Sequence, residues 1–177
     1  MLNERPLLDE LLGVAADRLV AYGYLLTGSQ HAAEDLVQDA IIKVFIKRRR
    51  LDNVRAAEGY VRAAMRTIHI DHMRRTALWR RAAPGLLGVG DVPDAAVAVV
   101  DRDQLERALN RLSPQERAVV VLRYYDDLGI HDVAAAMKLG DGTVKRYLSN
   151  ALAKLAGLVD EIDSDRDTVA VVNRKGS

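Results

Sequence analysis

Apolar residues recur at helical spacing along most of the chain, most regularly in one stretch near the N-terminus. Between residues 33 and 45 they lie three or four positions apart, on a single face: Ala33, Leu36, Val37, Ala40, Ile41, Val44 and Phe45. Glu34, Asp35, Gln38 and Asp39 fall on the opposite face, and Ser29 is placed to cap the helix start. This pattern predicts an amphipathic helix with an exposed acidic side.

A second helical pattern follows between residues 60 and 69. Its apolar face consists of Tyr60, Val61, Ala64, Met65 and Ile68. Arg62, Arg66 and His69 share a stripe on a neighbouring face. No alternating pattern of useful length occurs anywhere, so the chain is predicted to be all-α.

The C-terminal half carries the spacing of a helix-turn-helix. A helix start signal precedes it at 113–116 (SPQE). Ser is the cap, Pro takes the first helical position, and the Glu side chain can accept a hydrogen bond from the backbone amide of the cap. Val133, Ala134 and Met137 then predict the inner face of a short helix, followed by a tight turn at 138–141. The second helix would have a core stripe of Val144, Leu148, Ala151, Leu152 and Leu155. Its outward positions could enter the major groove of DNA: Gly142, Thr143, Lys145, Arg146, Ser149 and Asn150. On spacing alone, an ordinary helical hairpin remains the alternative.

Proline and glycine cluster between residues 84 and 93, where basic residues are absent. The sequence therefore predicts two small helical domains, 1–82 and 101–160, joined by a flexible linker at 83–100. The second would be the helix-turn-helix domain. The acid-rich stretch 161–177 is predicted to be a disordered tail.

Composition excludes several classes of protein. The 177 residues are 49% apolar and 29% charged, which permits a buried core. The absence of cysteine excludes disulfide scaffolds, thiolate zinc sites and cysteine nucleophiles. No apolar run is long enough to span a membrane. The N-terminal stretch has acids within it and no small-residue cleavage site, so it is not read as a secretory signal, and a cytoplasmic location is expected.

Charge is distributed unevenly along the chain. The formal net charge is only +1, but residues 43–81 contain twelve basic residues against three acidic ones. Such a local excess favours a polyphosphate partner such as nucleic acid. A solvated helical face is the alternative interpretation.

Two blocks of residues then point to a family. The first contains LTGS at 26–29, AEDLVQD at 33–39, YVR at 60–62 and IDHMRR at 70–75. The second contains ALNRLSPQER at 108–117, VLRY at 121–124 and GTVK at 142–145. In this order, with the linker between them, they resemble RNA polymerase sigma factors of the sigma-70 family, extracytoplasmic function (ECF) group.

The resemblance implies a role for each surface. Glu34, Asp35, Gln38 and Asp39 would bind the clamp helices of core RNA polymerase. The −10 promoter element would be melted and held by residues of the first block: Asn53, Arg55, Arg62, Arg66, His69, Arg74 and Arg75. The outward positions of the helix-turn-helix would read the −35 element. The family also leads us to expect an anti-sigma partner. Members of the family often have Gly in the turn of the helix-turn-helix, at the position where this chain has Lys138.

The implied function is promoter recognition in transcription initiation, with no active site, cofactor or metal. A stand-alone helix-turn-helix regulator that binds duplex DNA without polymerase is the alternative. A third hypothesis is a nuclease that uses His69, Asp71 and His72. His69 and His72 can share a helix face, but a third well-placed metal ligand beside them is not evident. No phosphate-binding loop, nucleophile elbow or HExxH motif occurs. Trp79, the only tryptophan, could stack on a base or contact the polymerase.

Overall fold

A computed structural model describes residues 5–47, 51–82 and 100–174, with side chains described at 6–46, 51–79, 104 and 106–157. The helices are α1 (Arg5–Thr27), α2 (Gln30–Lys47), α3 (Val54–Ala82), α4 (Val100–Asn110), α5 (Pro114–Val120), α6 (Ile130–Met137) and α7 (Asp141–Arg174). A π-helical turn, Val121–Tyr125, follows α5. These ranges contain no strand, so the all-α prediction is confirmed for them. The chain divides into two compact units, Met1–Val97 and Ala98–Ser177, and residues 83–99 of the predicted linker lie outside the described part.

The first unit is a three-helix bundle. Each helix buries one apolar stripe, and α2 does so with residues that the periodicity predicted: Ala33, Leu36, Val37, Ala40 and Val44. Ile41 and Phe45 are half-buried at the edge of that stripe. The hydroxyl of Ser29 accepts a hydrogen bond from the amide of Ala32 at 3.3 Å, so the predicted cap of α2 is confirmed.

Helices α1 and α3 run parallel, because each is antiparallel to α2 across a short connection. Two contacts give their register: Arg18 donates to Glu58 at 2.8 and 3.1 Å, and the guanidinium of Arg62 lies 4.9 Å from the centre of the Tyr22 ring. Both pairs are forty residues apart in sequence. On this register α1 ends opposite residue 67, and α3 continues for fifteen residues beyond that level.

A glycine allows α1 and α2 to approach closely. A Cβ atom at Gly23 would lie 3.0 Å from the carbonyl oxygen of Ala33 and 3.1 Å from its Cα and Cβ atoms, and Ala33 is fully buried. Gly28, with φ of 74°, takes the left-handed conformation that ends α1. The tight α1–α2 corner therefore depends on one missing side chain and one positive φ.

We expect Gly23→Ala to lower the free energy of unfolding of the first unit by about 1–2 kcal/mol, because overpacking against a buried backbone outweighs the gain in helix propensity. Gly13→Ala is the matched control, since nothing lies within 4 Å of a Cβ at Gly13. That variant should gain about 0.5–1 kcal/mol. Urea unfolding followed by circular dichroism measures both, and equal effects at the two glycines would contradict the close approach.

The second unit packs α5, α6 and α7 around a small core: Leu109, Leu112, Ala118, Val119, Leu122, Val133, Ala134, Met137, Val144 and Ala151. The start of α5 is a capping box, as the sequence predicts. Ser113 Oγ accepts from the amide of Glu116 at 3.3 Å, and Glu116 Oε2 accepts from the amide of Ser113 at 2.8 Å.

Two details differ from the sequence-based expectations. Leu152, predicted to lie in the core stripe, is 42% exposed, because it stands about 100° around the helix from the buried Ala151. The backbone of α7 is helical through Arg174, whereas disorder is expected for 161–177. Neither proline nor glycine interrupts residues 158–174, so a helix begun at Asp141 can propagate through them.

Candidate nucleic-acid interface

The four polar residues predicted on the outer side of α2 share one exposed face. Glu34, Asp35, Gln38 and Asp39 are all exposed, opposite the buried stripe. Glu34 accepts a hydrogen bond from Gln30 at 2.7 Å, and Asp35 lies 3.6 Å from the imidazole of His31. We call these four residues the acidic face.

Two exposed isoleucines, Ile42 and Ile46, continue the acidic face towards the end of α2. They stand seven and eleven positions after Asp35, so they lie on the same side of the helix. The exposed side of α2 therefore changes from carboxylates to apolar carbons along its length. A surface of this kind suits a protein partner that has both basic and apolar groups.

The start of α3 presents two of the predicted DNA-binding residues. Asn53 and Arg55 are both exposed. The side-chain oxygen of Asn53 accepts a hydrogen bond from the amide of Ala56 at 2.9 Å and so caps α3. Asn53 therefore has a structural role in addition to any contact with DNA.

The stripe predicted from Arg62, Arg66 and His69 does not form one exposed surface. Arg62 and Arg66 are half-buried, whereas His69 is only 9% exposed. A contact between His69 and DNA therefore stays a prediction, and the burial of this side chain does not favour it. The reason is visible in the sequence: His69 continues the four-residue spacing of the buried residues Ala57, Val61 and Met65.

Beyond the bundle, the predicted residues Arg74 and Arg75 stand beside Asp71. Arg74 lies 3.7 Å from the carboxylate of Asp71, and Arg75 Nε donates to its carbonyl oxygen at 3.3 Å. Arg74 is half-buried, and Arg75 is exposed. Side chains at Lys47–Arg50, Arg80 and Arg81 lie outside the description.

The turn of the helix-turn-helix is closed by backbone hydrogen bonds. Lys138 has φ of 54° and ψ of 48°, the left-handed conformation. Its amide donates to Ala135 at 3.3 Å, and the amide of Leu139 donates to Ala134 at 2.9 Å, which is the Schellman arrangement. A lysine thus occupies a position that glycine adopts more easily, at a cost of about 1 kcal/mol.

The predicted outward residues of α7 lie at its N-terminal end. Thr143 is half-buried, and the others are exposed: Gly142, Lys145, Arg146, Ser149 and Asn150. Val144 and Ala151 are buried on the opposite side. Arg146 also lies over the ring of Tyr147, 5.7 Å from its centre. The first three turns of α7 therefore present amide, hydroxyl and cationic groups together, as a recognition helix requires.

An ion pair between the buried Glu116 and the exposed Lys154 joins α5 to α7. Lys154 Nζ lies 2.7 Å from Glu116 Oε2, and the Glu116 side chain is only 6% exposed. Burial by itself would raise the pKa of Glu116, but the hydrogen bonds from Lys154 and Ser113 outweigh it and hold the pKa below its ordinary value of 4.5. The ionised carboxylate therefore stabilises the folded unit.

We expect the second unit to lose stability as the pH falls from 4.5 through the lowered pKa of Glu116, because protons then bind the unfolded chain first. Glu116→Gln keeps the capping box and removes the charge. It should cost about 1 kcal/mol at neutral pH and flatten the acid-side dependence. Urea unfolding across this pH range measures both effects. Additive losses when Glu116→Gln is combined with Lys154→Gln would contradict the coupling.

Sequence reasoning missed the Arg18–Glu58 pair, the Gly23 contact and the π-helical turn. All three depend on residues brought together by folding or on a local change of helix pitch, so spacing gives no signal for them. In the described part of the chain, no group of three or more His, Asp or Glu side chains is placed to hold a metal ion. The described helices also include none that is long and apolar enough to cross a membrane.

Two family models match the chain, one in each unit. The model described as Sigma-70 region 2 matches residues 15–78, which include the acidic face and most of α3. The model described as Sigma-70, region 4 matches residues 102–155, which include the helix-turn-helix.

Known sigma factors are similar over most of the chain. An RNA polymerase sigma-E factor of Streptomyces antibioticus is 32% identical over 162 residues, covering 89% of this chain and 87% of that protein. The ECF RNA polymerase sigma factor SigL of Mycobacterium tuberculosis is 30% identical over 167 residues, 92% of each chain. The sigma factor RpoE of Bartonella quintana, crystallised with the anti-sigma factor NepR, shares the fold. Its TM-score is 0.55 at 24% identity, over 86% of this chain and 96% of that one.

Proposed function

The chain belongs to the sigma-70 family of RNA polymerase sigma factors, in the ECF group, and from that membership we propose how its surfaces divide the work of initiation. As a sigma factor it binds core RNA polymerase and directs promoter recognition. The stand-alone regulator is not favoured, because the relatives match in both units rather than in the helix-turn-helix alone. We place the polymerase-binding and −10 domain at 1–82 and the −35 domain at 101–160.

The acidic face of α2 binds core polymerase. What supports this is its exposure as one continuous surface with Ile42 and Ile46, none of which the bundle uses for packing. Carboxylates steer and orient a basic partner, while the isoleucines offer apolar area to be buried.

The arginines of α3, together with its capping residue Asn53, hold the opened −10 strand. Asn53 and Arg55 stand at one end of α3, and Arg74 and Arg75 stand nearer the other. Half-buried Arg62 and Arg66 lie between them. Guanidinium groups along one helix can follow successive phosphates of a separated strand, which supplies affinity without sequence choice.

The N-terminal turns of α7 read the −35 duplex. Lys145 and Arg146 can reach guanine acceptors or phosphates, and Asn150 can address adenine. The Glu116–Lys154 ion pair and the Schellman turn support this role because they hold α7 against α5 and α6.

Melting is driven by binding energy, and we assign the chain no catalytic residue, metal or cofactor. Its place of action is the cytoplasm, where core polymerase and promoter DNA are found. We also propose an anti-sigma partner, since a protein of the same fold was crystallised with one.

The observation that carries the proposal is the matching of both units, in order, to sigma factor regions whose predicted contact residues are largely exposed. Run-off transcription tests it directly. Core enzyme should initiate at discrete sites in a pool of genomic fragments only when this chain is added. Site-specific binding of the chain to duplex DNA without core, and no change in initiation, would favour the regulator instead.

A further inference from the structure

The end of α3 stands outside the bundle. On the register set by Arg18–Glu58 and Tyr22–Arg62, α1 ends opposite residue 67. Ile70 is the last buried residue of α3 among those described, and no side chain from 71 to 79 is buried. At about 1.5 Å per residue, α3 therefore extends by roughly 20 Å past α1.

The residues of the α3 stripe that packs inside the bundle change from apolar to polar and aromatic in the part of α3 that extends past α1. Val61 and Met65 are fully buried, and the same alternation of four and three residues continues through Ile68 to His72, Arg75 and Trp79. These last three side chains are exposed. Where the helix loses its bundle neighbours, its apolar stripe is replaced by an imidazole, a guanidinium and an indole.

Trp79 is the most unusual member of this set, because its side chain is 68% exposed although tryptophan gains much from burial. It lies one turn after Arg75 on the same face, in a segment with Arg74 before it and Arg80 and Arg81 next in sequence. A cationic surface with a protruding aromatic ring matches the chemistry of single-stranded nucleic acid, whose phosphates and unstacked bases alternate.

We propose that Trp79 stacks on an unpaired base of promoter DNA, with Arg75 and His72 holding the adjacent backbone. This inference rests on the proposed function, since it needs the opened strand to lie along α3. It adds a base-stacking residue to a surface that otherwise supplies only charge and hydrogen bonds. Stacking on an aromatic face is tolerant of sequence, so Trp79 would stabilise the open strand without choosing the promoter.

The single tryptophan makes a direct measurement possible. Replacing it biosynthetically by 5-hydroxytryptophan allows excitation at wavelengths where the tryptophans of core polymerase do not absorb. We expect its emission to be little changed when holoenzyme forms, and to be quenched about two-fold or more on a promoter fragment with a pre-melted −10 region, as stacking requires. The fragment is one selected by the run-off assay.

Substitutions at Trp79 distinguish the effect of an aromatic ring from that of a large apolar side chain. Trp79→Leu keeps an apolar side chain without an aromatic face and should weaken holoenzyme binding to the pre-melted fragment about five-fold or more, while Trp79→Phe should retain most of the binding. Leu78→Ala is the matched control, because Leu78 is a neighbouring apolar residue that is also mostly exposed. Circular dichroism melts should be alike for all three variants.

The outcomes distinguish the inference from the proposed function. Emission that changes on core binding and not on DNA would mean that Trp79 contacts the polymerase, and it would overturn the inference. So would equal binding by the Leu and Phe variants. In either case chain-dependent run-off transcription would persist, whereas its absence would instead contradict the proposed function itself.

Discussion

Joint replacement of Lys145 and Arg146 by alanine should lower promoter-specific transcription by about 100-fold while leaving holoenzyme assembly unchanged. Both side chains are exposed on the first turns of α7 and contribute nothing to the core beneath. A contact to a base edge is worth about 1–3 kcal/mol and a contact to a phosphate adds affinity, so losing two removes much of the binding free energy for the −35 duplex.

Run-off transcription gives the loss, and co-purification with core gives the control for assembly. Arg107→Ala is the charge-matched variant, because Arg107 is an exposed arginine of the same unit on α4. The assignment would be contradicted if the Arg107 and Lys145/Arg146 variants lost activity equally. It would also be contradicted if the double variant lost its affinity for core.

The second large effect concerns the acidic face. Asp35→Ala combined with Gln38→Ala should weaken binding to core polymerase by about 10- to 100-fold, since truncating central polar groups of an interface costs on the order of 1–3 kcal/mol. Stability should change little, because both side chains are exposed and the buried side of α2 is untouched.

Titration of labelled chain with core enzyme measures this affinity at two salt concentrations. A charged interface should weaken further as salt rises in the wild type and less so in the variant. Asp17→Ala provides the control, because Asp17 is an exposed carboxylate of the same unit on α1 rather than α2. Unchanged affinity in the α2 variant would remove the acidic face from the polymerase contact.

The sequence was sufficient to predict α2 and the helix-turn-helix. In both, burial follows helical periodicity closely, and capping residues such as Ser29 and Ser113 mark the starts. The exposed positions of α7 follow once Val144 and Ala151 are taken as buried.

The sequence was insufficient where several faces of one helix compete. His69 shares a stripe with Arg62 and Arg66 but also continues the buried series from Val61, and only the packing of the three helices decides between the two. The length of α3 beyond its neighbours is likewise invisible to periodicity, because it depends on how α1 and α3 align. That Trp79 lies on the part of α3 beyond α1 is therefore known only from the alignment of the two helices.

The backbone closure of the α6–α7 turn has a consequence for how this protein can evolve. Main-chain hydrogen bonds from Lys138 and Leu139 close the turn between the two helices, and the side chains of Lys145, Ser149 and Asn150 are exposed rather than packed in the core. Mutations at those positions can alter which genes are controlled without endangering the fold. Duplicated copies of such a gene can thus diverge towards new regulons one side chain at a time.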